Sequence, residues 1–218
     1  ILNHREYQDA IHDWGNRYRY PKGSYGHLFS EWLMTDEPKP HKSWGNGAAM
    51  RVSAVGWLFD DYHDVMREAK NSAICSHLHT EAIRGAQCVA TLIYWLRTCR
   101  ITKEEVENAV KHNFGYEIPA YRDIMKIGLE GHFDSSCQET VPWAIRCFLD
   151  SSSFEDAIRK AVMVRGDTDT KTAICGSIAE AFYEIPETFY EKACAYLEPD
   201  MLDVVQQFAL EVQCGIDQ

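Results

Sequence analysis

Residues 80–98, TEAIRGAQCVATLIYWLRT, carry apolar side chains on several faces of one helix instead of along a single stripe. Such a helix is stable in water only when other elements surround it, so this segment predicts a central helix with the fold built around it. The rest of the chain supplies the surroundings. Tyr7, Ala10, Ile11, Trp14 and Tyr18 form one stripe at three- to four-residue spacing, Leu28, Phe29, Trp32 and Leu33 a second, and Val65, Met66, Ala69 and Ala73 a third. No segment shows the alternation of a half-buried strand. Two helix starts announce themselves: Thr102 with Glu105 and Ser152 with Glu155 have capping-box spacing, and Gly115 suits the end of the first of these helices. These features predict an all-α fold, an orthogonal helical bundle whose site is assembled from interhelical loops.

The 218 residues are 45% hydrophobic, enough for one domain with a substantial core, and no repeat, low-complexity tract or linker divides them. A formal charge of −11 with no Lys- or Arg-dominated window argues against duplex nucleic acid as a partner. No apolar run approaches the roughly 20 residues of a membrane span. The eight cysteines, at 75, 88, 99, 137, 147, 175, 194 and 214, are scattered without a CxxC pair, as expected of reduced core thiols in a cytoplasmic protein. The first residues have neither a signal-peptide nor a transit-peptide character, and the absence of an initiating Met suggests that Ile1 is not the native start. Two stretches, 37–51 and 114–142, mix Gly, Pro, Ser and aromatics and are expected to be loops.

Chemistry concentrates in VRGDTDTKTAICGSIAEAF, residues 164–182. Asp167 or Thr168 could serve as an N-cap, which the helix dipole favours by about 0.3–1 kcal/mol. One acid would satisfy that role. A second, Asp169, with the Thr170 hydroxyl beside it, places three hard oxygen donors in one turn, the kind of set that Mg²⁺ or Ca²⁺ takes. The small residues Ala173, Gly176, Ser177, Ala179 and Ala181 behind them allow close helix packing and a rigid mount. Counted from Asp167, an EF-hand loop would need Gly and Glu where Thr172 and Ile178 stand. A haloacid-dehalogenase DxDx[TV] site conflicts with Lys171 and with the fewer than 50 residues after Asp169. In a second stretch, HKSWGNGAAMR at 41–51, Gly45 and Gly47 flank Asn46. This suits either a plain turn or a phosphate loop, with Ser43 as an extra donor and a helix from Ala48 offering its positive end.

Four stretches occur in order: SWGNGAAMRVSAVGWLF, SHLHTEAIRGAQ, FDSSCQETVPWAI and RGDTDTKTAICGSIAEAFYEIP. Together they resemble the ADP-ribosylglycohydrolase family, of the dinitrogenase reductase-activating glycohydrolase type, over about residues 1–197. The resemblance implies metal-dependent hydrolysis of the glycosidic bond between ADP-ribose and a modified protein or small molecule, with two Mg²⁺ or Mn²⁺ ions. By this resemblance Asp167, Asp169 and Thr170 are metal ligands, and Ser43, Trp44, Gly45, Asn46 and Gly47 form the loop that holds the diphosphate and distal ribose. His77 is then a ribose-side histidine and His79 a core or supporting residue, while Phe133, with Ser135 and Cys137, edges the adenosine pocket. The family also has a TDDT-like segment that carries the remaining ligands and acids near the scissile bond, and it belongs upstream of ILNHREYQDAIHDWGNRY. These 218 residues lack it. The catalytic acids are therefore expected upstream of Ile1 or on another chain; otherwise the domain binds ADP-ribose, or serves as a helical scaffold, without hydrolysis. Arg165, where the family usually has Gly, is a second departure.

Overall fold

The computed structural model describes residues 3–21 and 24–216, with side chains up to Val212. Among these residues there are thirteen α-helices and no strand. They are α1 (His4–Arg17), α2 (His27–Leu33), α3 (Gly47–Met50), α4 (Ser53–Leu58), α5 (Tyr62–Ile74), α6 (Thr80–Arg97), α7 (Val106–Phe114), α8 (Tyr121–Leu129), α9 (Cys137–Leu149), α10 (Phe154–Met163), α11 (Thr168–Glu180), α12 (Glu187–Cys194) and α13 (Pro199–Ile216). The fold is all-α, as the periodicity predicts.

Helix α6 is the central element. Its buried residues, from Ala82 through Leu96, point in every direction, and α3, α4, α5, α7, α9 and α11 all pack on it. Helices α9, α10 and α11 also pack on one another. Leu92 and Ile93 of α6, Ile145 of α9, and Ile174 and Ile178 of α11 are fully buried, each contributing about 1.5–3 kcal/mol. The stripes of α1 and α2 are less deeply placed than their spacing suggests: Ala10 and Leu28 are exposed, whereas Trp32 and Leu33 are buried. Helix α1 reaches α5 partly through a polar contact, in which the Tyr7 hydroxyl donates to the fully buried Glu68 carboxylate at 3.1 Å.

Local signals are met with two adjustments. Thr102 and Glu105 form a capping box, but it opens a short 3-10 turn, Lys103–Glu105, that runs into α7. Gly115 ends α7 at φ 68°, donating its N–H to Lys111 O. The second box lies one residue further on than Ser152 and Glu155. Ser153 caps α10 by accepting from Asp156 N at 3.1 Å, and the Asp156 carboxylate reaches back to Ser152 N at 2.9 Å. Glu155 instead pairs with Arg159 one turn on.

The expected loop at 114–142 contains α8 and the first turns of α9. Pro142, the sixth residue of α9, lies past the first turn and costs the helix one backbone hydrogen bond, yet α9 continues through it to Leu149. The stretch 37–51 is mostly loop, and the helix expected from Ala48 is the four-residue α3. Two backbone bridges pin this loop, His41 to His77 and Gly45 to Ser136. Cys75, Cys88, Cys137, Cys147 and Cys175 are buried free thiols, whereas Cys99 is exposed and Cys194 half-buried. The Cys214 side chain lies outside the described residues.

Helix α8 touches the backbone just ahead of the acidic stretch. A Cβ at Gly128 would sit 1.7 Å from Val164 O, so only glycine permits this approach. Gly128→Ala should destabilise the fold by about 1–3 kcal/mol or more in urea unfolding, the cost of overpacking.

Candidate functional site

Three segments meet at one end of α11. The turn 164–167 leads into it, the loop 43–47 lies beside it, and the loop 131–136 crosses it. A Cβ on Gly166 would lie 2.9 Å from His132 O and 3.8 Å from Phe133 Cα. Asn46 N–H donates to Ser135 O at 2.8 Å, and Cys137 N–H donates to Trp44 O at 2.9 Å.

The buried Asn46 side chain joins the segments. Its amide donates to Asp167 Oδ2 at 2.6 Å and to Thr140 Oγ1 at 3.0 Å. This explains why Asp167 occupies the N-cap position of α11 without capping it: its carboxylate is held by Asn46. Thr168 does not cap the helix end either, since its hydroxyl donates to Gly166 O. Burial pushes the Asp167 carboxyl above the ordinary carboxylate range, and the adjacent Asp169 carboxyl adds to this, while hydrogen bonds from Asn46 and Thr170 oppose it. Asp167, Asp169 and Thr170 thus lie within interaction distance of one another, with Asp169 exposed and Thr170 buried. Two carboxylates and a hydroxyl form a hard-oxygen set suited to Mg²⁺. Among the described residues, no group of three or more His, Cys, Asp or Glu side chains forms a metal cluster.

The glycine loop spends part of its donor capacity on the protein itself. Gly45 N–H donates to Ser43 Oγ at 3.1 Å, and Asn46 N–H is taken by Ser135. His77 lies beside this loop, its Nε2 3.4 Å from where a Gly47 Cβ would sit. Its Nδ1 shares a 2.7 Å hydrogen bond with Ser76 Oγ, which also accepts from the Arg51 guanidinium at 2.6 Å. Burial first, then the charge of Arg51 and the neighbouring His41, pushes the His77 imidazole down to about 3, so it is neutral near pH 7. His79 has a structural duty, capping α6 by accepting from Glu81 N. Trp44 and Phe133 are exposed, and Trp44 meets His79 edge-on at 5.7 Å.

Sequence reasoning missed Thr140, one turn into α9, which carries no local motif. It also passed over Lys171 as a site residue, although a lysine on the face of α11 shared by Ile174, Cys175 and Ile178 was visible. Lys171 is almost fully buried, its ammonium donates to Arg165 O, and burial lowers its affinity for its proton.

With this geometry in view, the chain matches the ADP-ribosylglycohydrolase family over residues 2–214 and belongs to that family. It is 26% identical to ADP-ribosylhydrolase ARH3 of Bos taurus and 25% identical to that of Homo sapiens, each match covering 73% of this chain and 56% of the relative. A protein of Archaeoglobus fulgidus is 31% identical over 66% of this chain and 52% of its own length. The chain therefore spans about half the length of the curated relatives it matches. A solved structure described as an ADP-ribosylglycohydrolase-related protein complex superposes with a TM-score of 0.67 at 20% identity, covering 94% of this chain and 73% of that one. That similarity supports the all-α fold.

The neutral His77 makes a pH prediction. Its folded pKa lies below the ordinary value of about 6.5, so an unfolded chain binds a proton here that the folded chain refuses. The stability associated with His77 is complete above about pH 6.5 and is lost as pH falls toward 3, at up to about 1.4 kcal/mol per pH unit. His77→Gln should flatten the acid limb of a stability-versus-pH curve measured by urea unfolding by up to about one proton.

Proposed function

We propose that this chain is the part of an ADP-ribosylglycohydrolase that binds ADP-ribose and half of a divalent-metal site, acting in the removal of ADP-ribose from a modified protein or small molecule. The observation that carries this is the Asn46 to Asp167 hydrogen bond, which fixes the glycine loop against the acidic turn in a chain of that family. Asp167, Asp169 and Thr170 would hold Mg²⁺ or Mn²⁺. A bound cation would supply orientation of sugar hydroxyls and activation of a water.

The chain's own residues account for the rest. Asn46 fixes one oxygen of Asp167 and keeps the carboxylate out of the capping geometry. Ser43, Gly45 and Gly47 border the space for diphosphate and distal ribose. His77, neutral and hydrogen-bonded at Nδ1, presents Nε2 toward Gly47, where it can exchange a hydrogen bond with a ribose hydroxyl without adding charge. The exposed faces of Trp44 and Phe133 are available for stacking on a base. The acids that attend bond cleavage are assigned to sequence beyond these 218 residues. The free thiols suit a reducing compartment such as the cytoplasm, and among the described residues no helix is long and apolar enough to cross a membrane.

A second function, recognition of ADP-ribose without hydrolysis, is favoured by one observation: all three oxygen donors come from a single turn, and no larger cluster exists among the described residues. A release assay on ADP-ribosylated substrate, run beside calorimetry with ADP-ribose, separates the two. The 218-residue chain should bind ADP-ribose and release little of it, and failure to bind would overturn both functions.

Single substitutions refine the assignment. Asp169→Ala removes a carboxylate that disfavours ionisation of Asp167, so it should melt no lower than the unchanged chain in EDTA and lose any gain in ADP-ribose affinity from Mg²⁺. Asn46→Ala leaves Asp167 and Thr140 without their shared donor, and should cost about 1–3 kcal/mol of stability as well as affinity.

A further inference from the structure

The acidic turn is built on backbone that its residues disfavour. Arg165 has φ 61° and Gly166 φ 70°, two successive left-handed positions of which only the second carries glycine. Together they swing the chain from α10 into α11 and set where Asp167 emerges. Lys171 stands one turn into α11, only 4% exposed. Its ammonium donates to Arg165 O and lies 5.2 Å from the centre of the Trp143 ring. No carboxylate forms an ion pair with it among the described residues. A buried ammonium is costly unless its hydrogen bonds are made, and this one is aimed at the carbonyl of the strained residue. The space around it is closed: a Gly166 Cβ would lie 3.2 Å from Lys171 Nζ and 2.9 Å from His132 O, and α8 presses on Val164 through Gly128.

We infer that Lys171 is a positioning residue for the acidic turn: its buried ammonium locks the left-handed Arg165 peptide and so holds Asp167 and Asp169 in register to take a divalent cation. This rests on the metal-binding assignment of Asp167, Asp169 and Thr170 made above. Two physical effects of Lys171 have opposite signs, which makes the inference testable. As a mere charge near the Asp167 carboxylate it repels an incoming cation, so its removal would tighten binding. As a positioning residue it preorganises the ligands, so its removal weakens binding, by about tenfold for an outer partner of a metal ligand.

The test measures Mn²⁺ affinity of the 218-residue chain by water-proton relaxation, with melting temperatures in EDTA alongside, for the unchanged chain, Lys171→Met, Arg165→Gly and the double variant. Glycine adopts the left-handed conformation without an anchor. Lys171→Met should therefore bind Mn²⁺ about tenfold more weakly, Arg165→Gly should bind like the unchanged chain, and the double variant should recover most of the loss. Affinity that is unchanged or tighter in Lys171→Met, or a loss that Arg165→Gly does not recover, overturns the inference. If Lys171→Met does not fold, Arg165→Gly with and without Lys171→Met carries the comparison: similar affinities support the anchor, and a gap of about tenfold overturns it. An unchanged chain that takes up no Mn²⁺ overturns the metal assignment and this inference with it, whereas Mn²⁺ binding that is undiminished in Lys171→Met overturns this inference alone.

Discussion

A helix that buries residues on every side has to be enclosed, and the enclosure of α6 organises the rest of this protein. Six helices from both halves of the sequence close around it, so none of them can be displaced without exposing apolar surface. Because α3, α9 and α11 are among the six, the loop ahead of α3, the start of α9 and the turn ahead of α11 come together. The polar site is thus a by-product of apolar packing, located where three enclosing helices begin.

At that edge the ordinary rules of helix ends give way to longer-range demands. An aspartate at an N-cap normally spends its carboxylate on free N–H groups of its own helix. Asp167 gives that up for Asn46, and its companion Asp169 adds like-charge repulsion. A turn optimised for stability would keep the cap and drop the second acid. Its retention of both acids and its use of a left-handed arginine are departures from local preference of the kind that cluster at functional sites.

How much of this was legible in the sequence follows from the range of the forces involved. Gly115 and the Thr102–Glu105 box could be read because their partners lie within one turn. The central helix could be read because its composition alone forbids a surface position. Helix α8 was hidden inside a Gly- and Pro-rich stretch, although Tyr121, Ile124, Met125 and Gly128 keep helical spacing; Gly128 looks like a breaker and is in fact a contact point with Val164. Pro142 misled in the same way. Within the site, the crowding of Asp167, Asp169 and Thr170 was plain, and the proximity of His77 to the glycine loop was implied only by family resemblance. The partners of Asn46 could not be inferred, because they are 94 and 121 residues away and no local pattern encodes them.

That separation of 121 residues between Asn46 and Asp167 also governs when the site can exist. On a ribosome adding about 5–20 residues per second, the glycine loop emerges roughly 6–24 s before the aspartate that its asparagine will hold. Through most of that interval Asn46 has neither Thr140 nor Asp167 to hold, and until α11 emerges the surface of α6 that it covers is bare. This polar cluster is consequently a late product of folding, assembled by a long loop closure after the first helices have collapsed, and nascent chains stalled before α11 would be without it.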